Sequence, residues 1–303
     1  MPINKLCIVG VGLIGGSLAM ALRRVRPEML VVGAGRNVDR LERAVELGVI
    51  DEYCLNPADA VRGADVVVIA TPVGSFEDSL AVVASVVDAN TVITDVGSSK
   101  GGVVAAVERV AATYGSHIAE QFVPGHPIAG REKSGVEASL ATLYDHHRVI
   151  LTPTEKTSPG ALAVVTAMWE LAGANVTQMG VEHHDEVLAA TSHLPHVLAY
   201  GLVDTLAQME ERREIFSYAA GGFRDFTRIA SSDPVMWRDI CLSNRDALLD
   251  VLDKFTSELA ELRELIAESD GAGLEKRFTF ARDSREAAAG KLPAVFKHTD
   301  IVK

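Results

Sequence analysis

Short β-branched runs alternate with longer stretches of helical periodicity through the first 180 residues. The runs are LCIVG at 6–10, LVVGA at 30–34, VVVIA at 66–70, TVITDV at 91–96 and FVPG at 122–125. Such alternation predicts βαβ units and a largely parallel sheet. Two further strands, RVILTP at 148–153 and NVTQM at 175–179, flank a helical pattern from Pro159 to Leu171. After Gly180 the strand signal stops, and the remainder reads as helices over 182–211, 213–220, 223–231 and 234–268, then a short helical tail. The expected organisation is an α/β domain over 1–180 followed by an all-helical domain over 181–303.

The helix over 234–268 starts with Asp233 as N-cap and Pro234 at the first helical position, a standard start signal. Trp237, Ile240, Cys241, Leu248, Val251, Leu252, Phe255, Leu259, Leu262, Leu265 and Ile266 form an apolar stripe along it. At 1.5 Å per residue it would be about 50 Å long, more than a domain of ~120 residues can cover. A homodimer sharing helices is expected.

The first strand runs directly into VGVGLIGGSL, which places Gly10, Gly12 and Gly15 in G-x-G-x-x-G spacing between a strand and a helix. In that context the motif predicts a Rossmann dinucleotide site. Gly10 would permit the turn, Gly12 the approach of a pyrophosphate and Gly15 close helix packing, with Leu13 and Ile14 opening the helix whose N–H groups face the phosphates. The end of the second strand, where an acidic residue would bind the ribose 2′-hydroxyl, reads GAGRN. Gly35 and Arg36 therefore favour NADP, with NAD as the alternative.

Charge and cysteine count narrow the picture. The 303-residue chain carries 41 acidic against 29 basic residues, a formal charge of −12, which provides no broad footprint for nucleic acid or anionic membranes. An anionic small molecule would need a local basic cluster. Cys7, Cys54 and Cys241 are far apart and lack CxxC spacing, so neither a disulfide framework nor a metal site is expected. The N-terminal apolar stretch is interrupted by glycines and lacks a cationic leader, and a cytoplasmic enzyme is expected.

Four segments carry candidate chemistry. ATPV at 70–73 ends a buried strand with Thr71 and Pro72, which would edge a nicotinamide pocket. DVGSSKG at 95–101 and GHPIAG at 125–130 put Ser98 and His126 at strand ends, where ligands of open α/β sheets bind. A neutral His126 would act as general base on a substrate hydroxyl while hydride leaves the same carbon; its bland alternative is a loop cap. In HHDEVLAATSHLPH at 183–196, Asp185, Ser192 and His196 project within about 40° of one another on an ideal helix, and Pro195 predicts a kink beside them. GGFRDFTRIASSDP at 221–234 sets Arg224 and Arg228 four apart on one helical face, a costly like-charge pair unless an anion intervenes. Arg228, flanked by Phe226, Thr227 and Ile229, is expected to be the more buried and suits a carboxylate.

Taken in order, GVGLIGGS, DVGSSKG, GHPIAGREKSG, SHLPH and GGFRDFTRIASSDPVMW resemble the prephenate/arogenate dehydrogenase family over almost the whole chain. The resemblance implies oxidative decarboxylation of prephenate to 4-hydroxyphenylpyruvate, or of arogenate to tyrosine, with hydride transfer to NAD(P). It implies that His126 accepts the proton of the ring hydroxyl, that Ser98 hydrogen-bonds that hydroxyl or the histidine, and that His196 lies at the substrate side-chain end. Arg228 would bind a carboxylate; Arg224, Asp185, Glu132 and Ser192 would shape the substrate site. Two positions depart from the family pattern: the missing acid at the second strand end, and Arg131 beside EKSG. Length leaves no room for an appended regulatory domain, so allosteric control by tyrosine is less expected. A β-hydroxyacid dehydrogenase and a non-catalytic nicotinamide sensor are the rival readings. The first would need a catalytic lysine on a helix that instead offers His196 and Arg228.

Overall fold

The computed structural model describes residues 3–131 and 133–289. Strand β1 (Lys5–Val9) is followed by α1 (Leu13–Arg23), β2 (Leu30–Ala34), α2 (Val38–Glu46), β3 (Glu52–Cys54), α3 (Pro57–Val61) and β4 (Val66–Ile69). Helix α4 (Phe76–Ala84), β5 (Val92–Asp95), α5 (Gly101–Tyr114), α6 (His117–Gln121) and β6 (Phe122–Val123) complete a six-stranded sheet ordered β3-β2-β1-β4-β5-β6. Every pairing in it is parallel. This is the doubly wound order, whose topological switch falls between β1 and β4. The central strands are buried on both faces, as their unbroken Val/Ile runs require.

The predicted strand at 122–125 is in fact two. Pro124 separates β6 from β7 (Gly125–Pro127), which leaves the main sheet and pairs antiparallel with β8 (Arg148–Leu151). β8 pairs parallel with β9 (Asn175–Gln178), and α7 (Pro159–Leu171) connects them. The second sheet thus carries His126 on its edge strand, opposite Ile150.

The helix expected over 182–211 is three pieces: α8 (Val181–Leu188), a π-turn over Ala189–His193 and α9 (Leu194–Ala207). Pro195, at the start of α9, cannot donate to Thr191, and the wider turn absorbs the lost bond. Short helices α10 (Arg212–Ser217) and α11 (Gly221–Thr227) follow, the latter ending in a 3₁₀ turn over Arg228–Ser231. The helix expected over 234–268 breaks at Asn244 into α12 (Pro234–Ser243) and α13 (Arg245–Ala267). The tail is not short, since α14 (Gly271–Ala289) has 19 residues.

Contacts divide the chain into two compact units, one through Leu248 and one from Leu249. Residues 181–248 therefore pack with the α/β layers. The second unit consists of the rest of α13 and α14, with Arg277 paired to Glu258 and Glu261. Leu259, Ile266, Phe278 and Phe280 are all more than half exposed. No helix among the described residues is long and apolar enough to cross a membrane.

Candidate active site

At the β1–α1 turn, Gly10 has φ +99°, and a Cβ there would lie 2.7 Å from the Ala70 carbonyl oxygen. Only glycine fits so close to the end of β4. A Cβ on Gly12 would meet nothing within 4 Å, so the open space needed by a dinucleotide lies on that side. Gly15 packs against Ile8 and Gly10. Helix α1 opens at Gly12 with no side-chain cap and no acidic residue in its first turn, which leaves Leu13, Ile14 and Gly15 to present N–H groups and positive potential to an anion. Thr71 and Pro72 follow β4 beside this turn, and the Thr71 hydroxyl lies 3.4 Å from that of Ser79. Gly35 and Arg36 follow β2; Arg36 is exposed, and Asn37 caps α2 by accepting from the Arg40 amide. These features fit a pyrophosphate and its flanking riboses.

The end of β5 and the start of β7 are tied together by a buried ion pair that the sequence did not reveal. Asp95 is 1% exposed and Lys100 fully buried. Lys100 Nζ donates to Asp95 Oδ2 at 2.5 Å and to the Gly125 carbonyl at 2.8 Å, while Asp95 accepts from the amides of Gly97 and Gly125. Burial lowers the Lys100 pKa from its ordinary value, an effect that Asp95 opposes. This clamp fixes the loop bearing Ser98 against the strand bearing His126. Ser98 is half-buried, and its neighbour Ser99 donates to Ser243 Oγ at 2.8 Å.

His126 is 8% exposed, and its Nδ1 lies 2.9 Å from Nε2 of the fully buried His184. His184 Nδ1 lies 2.8 Å from Asp185 Oδ1. Asp185 in turn accepts from the backbone amides of Lys100 (2.8 Å) and Gly101 (2.7 Å), so that its carboxylate caps α5. Burial holds the His126 pKa well below its ordinary value, helped by His184, Lys100 and His193. Burial alone would raise the Asp185 pKa, but hydrogen bonds from His184, Gly101 and Lys100 outweigh it and hold it low. His126 is therefore a neutral imidazole near pH 7 and Asp185 a carboxylate.

Across the π-turn lies a second histidine group. Asn244, where α12 breaks from α13, donates from Nδ2 to the Asp185 carbonyl (2.8 Å) and to His193 Nδ1 (3.0 Å). Burial pushes the His193 pKa down to about 4. Trp237 sits edge-on to His193 and stacks on His196 with ring centroids 3.6 Å apart. His196 Nδ1 donates to the Ser192 carbonyl at 2.8 Å, leaving Nε2 as its acceptor. Burial lowers the His196 pKa, and Arg228 contributes to the lowering, which brings that guanidinium and this imidazole into one electrostatic neighbourhood. Tyr200 on α9 fixes the segment after Arg228 by donating to the Ser232 carbonyl at 2.7 Å.

Several expectations need correcting. Asp185 does not share a stripe with Ser192 and His196: the π-turn breaks the 100° phasing, and the carboxylate turns to His184 and α5. Neither arginine is buried: Arg224 and Arg228 are both exposed. Arg131 is exposed and donates to the Ala138 carbonyl at 3.2 Å; Glu132 lies outside the described residues. Sequence reasoning missed His184, His193, Asn244 and the Asp95–Lys100 clamp. The one available signal was His184 directly beside Asp185 in the motif, and the two share the buried side of α8 with Leu188.

The chain is similar to known proteins along almost its whole length. Residues 18–178 match the family model for the prephenate dehydrogenase nucleotide-binding domain, and residues 180–280 that for the prephenate dehydrogenase dimerization domain. The chain is 39% identical over 286 residues to a cyclohexadienyl dehydrogenase of Zymomonas mobilis, covering 94% of this chain and 96% of that one. It is 37% identical over 299 residues to a prephenate dehydrogenase of Bacillus subtilis, covering 97% and 79%. Among solved structures, the Aquifex aeolicus prephenate dehydrogenase in complex with hydroxyphenyl propionate and NAD+ superposes with a TM-score of 0.87 at 39% identity, over 95% of this chain and 99% of that one. A Synechocystis arogenate dehydrogenase gives 0.76 at 27% identity, over 93% and 99%. This chain belongs to the prephenate dehydrogenase family.

Proposed function

We propose that the protein oxidatively decarboxylates prephenate or arogenate, with His126 as the general base. The observation that carries this reading is a buried, neutral imidazole whose Nδ1 is engaged, which leaves Nε2 for a substrate hydroxyl. When bound, a nicotinamide cofactor accepts hydride from the ring carbon bearing that hydroxyl. His126 holds the hydroxyl proton as the ring carboxylate departs as CO₂, and returns it to the phenolic oxygen. Ser98 hydrogen-bonds the same hydroxyl. Arg228 binds a substrate carboxylate, and His196, stacked on Trp237, offers Nε2 at the side-chain end. Arg224 and Ser192 bound the same region. Assays of reduced-cofactor formation with each substrate test the reading; no turnover of either overturns it.

Within the cofactor site we assign a preference for NADP. Support comes from the end of β2, where Gly35 and the exposed Arg36 stand in the sequence at the place of the acid that would bind a ribose 2′-hydroxyl. A kcat/KM tenfold in favour of NAD overturns the assignment. The exposed apolar residues of α13 and α14, together with the dimerization-domain match, support a homodimer. Light scattering should give twice the 32.3 kDa chain mass. The three free cysteines are consistent with a cytoplasmic setting.

A further inference from the structure

We propose that His184 is a positioning residue that sets the tautomer and polarity of His126 through a directed His126–His184–Asp185 chain. The inference rests on the assignment of His126 as base and adds to it how that base is prepared.

The direction follows from hydrogen-bond bookkeeping. Asp185 is a carboxylate fixed by two backbone N–H donors at the start of α5, so it can only accept. His184 must therefore place its proton on Nδ1, toward Oδ1. A neutral His184 then has a bare Nε2, which can only accept, and His126 must place its proton on Nδ1. What remains on His126 is a bare Nε2. The opposite tautomer would set two lone pairs or two N–H groups face to face at 2.9 Å inside a buried site, where neither has another partner to turn to.

Electrostatics favour the same direction. When His126 takes a proton, positive charge appears about two hydrogen bonds from Asp185, which stabilises it, as a carboxylate does behind the histidine of a Ser-His-Asp triad. The other charged or titratable groups facing the pair are Lys100, which is ion-paired with Asp95 yet still disfavours a charge on His126, and His193, whose pKa is pushed down to about 4. Asp185 is the carboxylate that opposes Lys100 at the far end of the chain. His184 also holds the His126 ring, the two rings lying edge-on with centroids 5.1 Å apart.

The chain is separable from the base assignment by experiment. In full-length protein labelled with ¹⁵N-histidine, long-range ¹H–¹⁵N spectra, assigned by loss of signals in His126→Asn, should show His126 protonated on Nδ1 and bare on Nε2. The other tautomer overturns the proposal whatever the enzyme's activity. His184→Phe should lower kcat about 10- to 100-fold with the substrate KM within threefold. His184→Gln should recover most of that loss, because a carboxamide can donate to Asp185 and accept from His126. A His184→Phe enzyme within threefold of wild-type kcat, or a Gln variant no better than Phe, overturns it. His126→Asn with unchanged kcat would instead remove the base assignment and leave the tautomer result standing.

Discussion

The two halves of the site are built from different materials. The cofactor half at the β1–α1 turn consists of glycines and backbone N–H groups, with open space over Gly12. The catalytic half consists of buried side chains from four separate elements (β5, β7, α8 and the α12–α13 break) held by hydrogen bonds of 2.5–3.0 Å. A backbone site is written locally, in one stretch of sequence. A side-chain site depends on distances between residues such as His126 and His184 that are 58 positions apart, and it fails or succeeds as a unit.

That contrast sets the order of expected effects. His126→Asn should cost about 10²–10⁴ in kcat and leave substrate KM little changed; a kcat within threefold of wild type would remove His126 as base. Next, Lys100→Ala leaves Asp95 buried and unpaired, and should destabilise the fold by about 3–5 kcal/mol in denaturant titration. A loss below 1 kcal/mol would show that the clamp does not organise the strand ends. Arg228→Ala should raise substrate KM about 10- to 100-fold with kcat nearly constant. The pattern reverses if the arginine acts in the transition state alone.

The pH response should be the mildest. Because the His126 pKa is lowered, its base form persists below pH 6.5, so the acid limb of kcat/KM should lie under that value. An acid limb above pH 7 contradicts the burial of His126. Stability follows the same sign. The unfolded chain takes up protons on His126 and His193 near pH 6.5 while the folded one does not, so stability should decline as pH falls from 6.5 toward about 4.

Legibility in the sequence follows the same division. The five strands of the parallel sheet with long Val/Ile runs or clear turn signals were readable, as were the glycine loop and His126. β3 was not, because Glu52–Cys54 is three residues long and has no hydrophobic period. The split at Pro124 was hidden, since a proline in a strand signals an edge but not which sheet each side joins. Asn244 interrupts an apolar stripe without a glycine or proline. It ends α12 because its carboxamide is needed at Asp185 and His193, a tertiary demand that no local pattern carries. The exposure of both Arg224 and Arg228 was not legible, because flanking apolar residues on so short a helix do not specify a core face.

The π-turn between Ala189 and His193 makes helix α9 behave like a vernier. One extra residue per turn offsets everything after it by about 100° relative to α8, so Asp185 and His196 serve different neighbours although one nearly continuous helix carries both. Deleting a single residue there would restore an ordinary helix, but would turn the buried Leu194 and Ala199 out of register with their neighbours. It would also swing His196 off Trp237, so one residue more or less in the turn decides which neighbours each half of the helix meets.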